Sequence, residues 1–204
     1  MAVSRRGRPS TGVREAVLRA TEETLAEAGM ALSTKEIARR AGVAESSIFY
    51  HFGDRLGLLQ AVVGQHLPDF ADAAVVLGRR TPNQDLRAAL AALLTGVERF
   101  YLGIMPILGA LQSDRQLRDL LVSKDGEIGP HLALRSVAEV LRAEQRAGLV
   151  NAELDPAAGA VLLVGAAHQR ALHRYLLGDI AEQFLPPVDS VAEGLLPAFR
   201  PGAV

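Results

Sequence analysis

The 204-residue sequence contains no cysteine and no tryptophan, and only 4% of its residues are aromatic. Without cysteine there is no disulfide framework and no thiolate metal site. Few aromatics, with Ala and Leu abundant, suit helix packing better than sheets, so an all-α fold is expected. No apolar run approaches the length of a membrane span and no signal peptide opens the chain, which predicts a cytoplasmic protein with no membrane partner. The chemistry of a catalyst is also missing. There is no P-loop, no GxGxxG and no nucleophile elbow. The five histidines, His51, His66, His131, His168 and His173, are scattered. His168 and His173 stand five apart, not the four that set two ligands on one helix face. Neither a metal nor a cofactor is expected, and an enzyme has little to rest on.

A strong charge of one sign is lacking as well. The net charge is −1, which taken alone argues against a nucleic-acid partner. Its distribution matters more. Residues 1–60 hold nine Lys+Arg against seven Asp+Glu, a net +2, so the remaining residues carry −3. The asymmetry is mild and favours a basic N-terminal module.

What is present centres on Ser33 to Arg55. Ser33 and Glu36 stand at capping-box spacing, and Leu32 and Ile37 fall where a hydrophobic staple would sit. A helix from about Thr34 therefore turns Ile37, Ala38 and Ala41 inward, and Gly42 ends it. A second helix follows from about Ala44 to Phe52. At 100° per residue, Ile48, Phe49 and Phe52 make its apolar side. Ser46, Ser47, Tyr50 and His51 make the other. Small hydroxyls let a helix approach a groove floor, while Tyr and His reach phosphates on its walls. Helix, short glycine turn, helix is the helix-turn-helix arrangement.

The stretch STKEIARRAGVAESSIFYHFGDRLGLLQAV resembles the DNA-binding signature of the TetR family of bacterial transcriptional regulators. The resemblance runs from Val13 to about His66. Ala44 stands where that family usually has Ser, Ser46 where Gly is frequent, and Asp54-Arg55 where Ser-Lys is usual. The resemblance implies a homodimer, most often a repressor, on operator DNA. With the polar face, it implies that Tyr50, His51 and Arg55, with Thr34 or Lys35, contact the DNA backbone. Ser46 and Ser47 are expected at base edges.

Along the chain, residues 1–10 are polar and basic. Arg6 and Arg8 in RRGRP can enter a narrow minor groove, as in an AT-hook. A solubilising tail that attracts phosphates without specificity fits them equally well. Residues 12–28 read as a first helix capped by Ser10 or Thr11, making a three-helix unit. Asp54 caps a helix over 55–67 that ends before Pro68. The resemblance makes this helix the mechanical link. This gives a DNA-binding domain at 1–53, a linking helix at 54–67 and a helical domain at 68–204. In the last, Phe70 to Leu77 is a short helix or a continuation. Thr81-Pro82 opens a helix to about Tyr101, with Gly103 and Pro106 interrupting. His131 to Ala147 is a helix stopped by Gly148. Asp155-Pro156 opens a helix to Leu177, and a last helix ends at Phe199.

In the Asp155–Leu177 helix, AAGAVLLVGAA is apolar nearly all round. Such a helix needs its own domain and something else to bury it, and a second copy is the simplest candidate. The central helix of a monomeric bundle is the other. Phe70, Phe100, Tyr101, Met105 and Leu108 lie on helices able to surround a mostly apolar cavity, with Gln112, His131, Arg135 and His168 as polar contacts for a small-molecule effector. For each of these residues taken singly, packing or exposure is the simpler role. The sequence thus reads as a ligand-responsive regulator binding a palindromic operator as a homodimer. Its rival is an all-helical carrier or enzyme whose helix-turn-helix is only structural.

Overall fold

The computed structural model describes residues 10–28, 33–78, 81, 85–123 and 129–201. Among them are nine α-helices and no strand: α1 Ser10–Ala28, α2 Thr34–Ala41, α3 Glu45–Phe52, α4 Arg55–Gly78, α5 Leu86–Ser113, α6 Arg115–Val122, α7 His131–Arg146, α8 Pro156–Leu177 and α9 Val188–Phe199. A 3₁₀ turn, Gly178–Gln183, follows α8. Two compact units emerge: Met1–Gln65 with Pro106–Ser123, and His66–Met105 with Lys124–Val204. Residues 106–123, which the sequence groups with the second domain, cluster with the first.

In the first unit α1 packs on α2, and α2 on α3. The core takes Val17, Leu18, Ala20 and Leu25 from α1, Ile37, Ala38 and Ala41 from α2, Ile48 from α3, and Leu58, Leu59 and Val62 from α4. Each fully buried Leu or Ile contributes about 1.5–3 kcal/mol. Thr21 and Thr24 are buried among them. Their hydroxyls donate to the carbonyls of Val17 at 2.8 Å and Ala20 at 2.6 Å, so neither is left unpaired.

In the second unit α7 runs along α8. Val137 and Leu141 are buried on one, Ala160, Leu163, Val164 and Ala167 on the other, and Phe199 of α9 is wholly buried. An ion cluster sits within this apolar setting. Arg170 donates from Nε to Glu98 at 2.6 Å and from Nη1 to the Pro186 carbonyl at 2.6 Å. Arg174 donates to the other Glu98 oxygen at 2.5 Å and also pairs with Glu182. Glu98 of α5 is thus held by two arginines of α8, with the Pro186 carbonyl and Glu182 of the α8–α9 connection as their further partners, and losing one would strand the rest. α4 crosses α5 closely here: a Cβ on Gly103 would lie 2.3 Å from the His66 ring, and one on Gly96 2.3 Å from Ala73.

The breaks expected at Pro68 and at Gly103–Pro106 are absent. α4 runs through Pro68 and α5 through Pro106. A proline removes the bond to the carbonyl four residues back. Those carbonyls belong to Gly64 and Leu102, both exposed, where water can satisfy them. The apolar face of α5 meanwhile continues through Ile104, Ile107 and Ala110. α5 also corrects the expectation about membrane-length runs, for at 28 residues it is long and apolar enough to cross a bilayer. Of its most apolar window 67% is buried within the protein, the pattern of a core helix. α5 begins at Leu86 and not at Thr81-Pro82; Pro82 lies outside the described residues, and Asp85 accepts from the Arg87 amide at 3.0 Å. α1 begins at Ser10, two residues earlier than expected. Arg6, Arg8 and Leu32, and with them the minor-groove arm and the staple, lie outside the described residues.

Candidate nucleic-acid interface

The turn between α2 and α3 is built from local rules. Ser33 Oγ accepts from the Glu36 amide at 3.3 Å. The expected return bond from Glu36 is replaced: its carboxylate takes Arg39 Nη2 at 2.6 Å and Arg40 Nε at 2.8 Å. Two guanidinium groups outcompete one backbone amide. Arg39 and then Arg40 hold the Glu36 carboxyl down to about 2. Arg40 also reaches Glu27 of α1 at 2.7 Å, which braces α2 on α1. At the other end the Val43 amide donates to Ala38 and Gly42 to Arg39, a Schellman closure. It needs the left-handed φ of +66° that Gly42 adopts.

Ala44 precedes α3 and makes no side-chain cap. Ile48 is completely buried and fixes the roll of the helix. Ser46 is then exposed, Ser47 and His51 half-buried, and Tyr50 85% exposed. Tyr50 and His51 meet edge to face at 5.1 Å. Phe49, expected inward, is 44% exposed. It lies 100° from Ile48, and with only Ile48 of α3 buried the covered face is too narrow to enclose it. Phe52 packs under the guanidinium of Arg14, 5.6 Å from its ring centre.

Of the residues expected to touch the DNA backbone, Lys35 is exposed and Thr34 is half-buried. The Thr34 hydroxyl donates to Glu45 at 2.6 Å. Arg55 has a partner that the sequence does not reveal. Its Nη2 lies 2.5 Å from Asp114 Oδ2, while Asp114 Oδ1 caps α6 through the Leu117 amide at 3.2 Å. Burial opposes ionisation of Asp114, but the Leu117 amide and Arg55 outweigh it and hold the carboxyl below its ordinary value. Asp54 caps α4 as expected, accepting from the Gly57 amide at 2.7 Å. A Cβ at Gly57 would lie 2.0 Å from the Phe52 carbonyl oxygen, so the first turn of α4 rests directly on the end of α3. Sequence reasoning missed Glu45, Gly57 and Asp114. A helix-capping signal marks Asp114, since it precedes the amphipathic RQLRDLLV; nothing local marks the other two.

The profile described as "Bacterial regulatory proteins, tetR family" matches residues 17–62, the run from α1 into α4. Residues 17–62 are thus similar to the TetR family. Its relatives include the HTH-type transcriptional regulator BetI of Stenotrophomonas maltophilia, 38% identical over 93 residues, covering 43% of this chain and 47% of that one. The HTH-type transcriptional repressor BepR of Brucella suis is 43% identical over 53 residues, covering 26% and 25%. The match to BetI thus spans about half of that relative's length. Solved structures share the all-helical fold over nearly the whole chain: a TetR-family transcriptional regulator from Haemophilus influenzae has a TM-score of 0.58 at 20% identity, covering 95% of this chain and all of that one. Salmonella enterica GusR has a TM-score of 0.62 at 18% identity, covering 94% and 98%. Both curated relatives are named as transcriptional regulators or repressors, and neither as an enzyme.

The residues expected to surround an effector cavity are distributed as follows. Phe70, Phe100, Tyr101 and Met105 are buried in the second unit. Phe70 and Phe100 lie 5.6 Å apart, Phe100 and Tyr101 5.3 Å, and Tyr101 and His168 4.9 Å, one continuous aromatic cluster. Burial pushes the Tyr101 phenol up from its ordinary pKa. His131 is half-buried in the same unit and Arg135 is exposed. Leu108, half-buried, and Gln112, exposed, belong to the first unit. Among the described residues no three His, Asp or Glu side chains gather as a metal site.

Proposed function

We propose that this chain is a ligand-responsive transcriptional regulator, a repressor, that binds a palindromic operator as a homodimer in the cytoplasm. The observation that carries the reading is the polar face of α3, Ser46, Ser47, Tyr50 and His51, presented by a helix whose roll Ile48 fixes. Ser46 and Ser47 approach base edges, while Tyr50, His51 and Lys35 contact phosphates and the Thr34 hydroxyl stays with Glu45. Arg55 contacts phosphate only by giving up Asp114. Arg6 and Arg8 of the basic N-terminal run add minor-groove contacts. The name of the Brucella relative supports repression.

Dimerisation rests on α8 and α9. Leu163 and Val164 of α8 face this chain's own core, whereas Val161 is 55% and Leu162 46% exposed. Leu176, two turns beyond Gln169 along the same helix, is 67% exposed. That stripe is covered by the same stripe of a second copy. The effector binds beside Phe100, Tyr101 and His168 and acts by turning α4, a single helix from Arg55 to Gly78. It switches DNA binding only if it prefers one orientation of α4. The test is selection of bound duplexes from a random pool. A palindrome with half-sites about one helical turn apart supports the reading, and no enrichment of any sequence refutes it.

A further inference from the structure

We propose that Glu45 determines operator specificity by accepting a hydrogen bond from the exocyclic amine of a cytosine in the major groove. The inference rests on the DNA-binding reading above. Glu45 is the first residue of α3, is exposed, and immediately precedes Ser46. In a helix-turn-helix, the N-terminal residues of the second helix are those that approach base edges. A carboxylate there is repelled by every phosphate and lowers affinity for duplex in general. It becomes favourable only where a base donates to it. In the major groove the base donors are cytosine N4 and adenine N6.

Thr34 distinguishes the two. Its hydroxyl donates to Glu45 Oε1 at 2.6 Å and ties the carboxylate to the start of α2. Among the described residues Oε2 has no partner. One oxygen is held and the other is presented as a single, oriented acceptor. Adenine sets its N7 acceptor beside the N6 amine, so a carboxylate that cannot swing meets a lone pair there. The thymine O4 flanks that amine on its other side, whereas the cytosine amine has an acceptor on one side only, the O6 of its paired guanine, and the C5–H edge on the other. The absence of a side-chain cap at Ala44 leaves the amide-rich start of α3 to hold the negative charge of Glu45 in place.

The test is selection from a random duplex pool by the full chain and its Glu45→Ala, Glu45→Gln and Thr34→Val forms, each checked for unchanged helicity by circular dichroism. The wild type should enrich one cytosine per half-site, with about tenfold weaker binding when it is replaced. Glu45→Ala should lose that preference while binding random duplex more tightly. Glu45→Gln should move it to adenine, because an amide both donates and accepts. Thr34→Val should narrow the discrimination of cytosine over adenine; unchanged discrimination would overturn the role of Thr34. Identical enriched sites for wild type and Glu45→Ala would overturn the proposal as a whole. A wild type that enriches nothing would instead refute the operator reading on which it rests.

Discussion

Replacing Asp114 by Asn separates the two roles of this side chain. The amide keeps an oxygen to cap α6 through Leu117 but loses the charge that faces Arg55. The two side chains are 22% and 27% exposed, so the pair lies between two regimes. Exposed pairs contribute up to about 1 kcal/mol, and breaking a buried one costs about 3–5 kcal/mol. Arg55 Nε is buried with no hydrogen-bond partner, so the variant leaves a partly desolvated guanidinium behind. Asp114→Asn should therefore destabilise the protein by about 1–2 kcal/mol. Asp114→Ala should cost about 1 kcal/mol more, for the lost cap. Urea unfolding reads both as a lower midpoint at constant slope, and a double-mutant cycle with Arg55→Met isolates the pair. The same substitution frees Arg55 for phosphate, so the dependence of log K on log salt should steepen by about 0.9 for each Arg55 released. An Asp114→Asn protein with the wild-type midpoint and the wild-type salt slope would refute both the anchor and the phosphate contact.

Gly57→Ala should abolish DNA binding and lower stability by about 1–3 kcal/mol, because the new methyl meets the Phe52 backbone. Gly64→Ala, which meets nothing within 4 Å in the same helix, should stabilise by about 0.5–1 kcal/mol; equal urea midpoints for the two would contradict the packing described. The Glu36 carboxyl is lowered from 4.5 to about 2, so its contribution to stability is full above about pH 4.5 and is lost as pH falls toward 2. The urea midpoint of wild type should accordingly exceed that of Glu36→Gln at pH 6, with the gap closing as pH drops below 4.5; a gap independent of pH would be inconsistent with that pairing. Leu162→Arg should give a folded monomer on sedimentation, whereas Leu163→Arg, placed at a residue 1% exposed, should unfold the chain. A dimeric Leu162→Arg protein would show that α8 is not the interface.

The helix-turn-helix was legible because its signals are local. Ser33, Gly42 and Asp54 each act within four residues of themselves, and 100° arithmetic places Ser46, Ser47, Tyr50 and His51 on one face. Asp155-Pro156 and Gly178 mark the two ends of α8 in the same way. The helices through Pro68 and Pro106 were not legible. A local rule counts the hydrogen bond a proline removes, but not the burial of apolar residues on either side that keeps the helix going. The Phe49 error has a similar origin, since periodicity gives direction but not the width of the covering surface. Arg55 with Asp114 and Thr34 with Glu45 join residues 59 and 11 apart in sequence. The fold creates those pairs, and they change what each residue can offer to DNA.

The most direct test of the central claim is a salt titration of the full chain on a palindromic duplex taken from the selection, followed by fluorescence anisotropy. With Lys35 of two chains on phosphates and Arg55 held by Asp114, two cations displace counterions, and log K should fall with log salt at a slope of about −2, steeper if the N-terminal arginines engage. The stoichiometry should be two chains per palindrome. A flat salt dependence, or no binding at low salt, would contradict the assignment of α3 and its flanks as a DNA-binding surface.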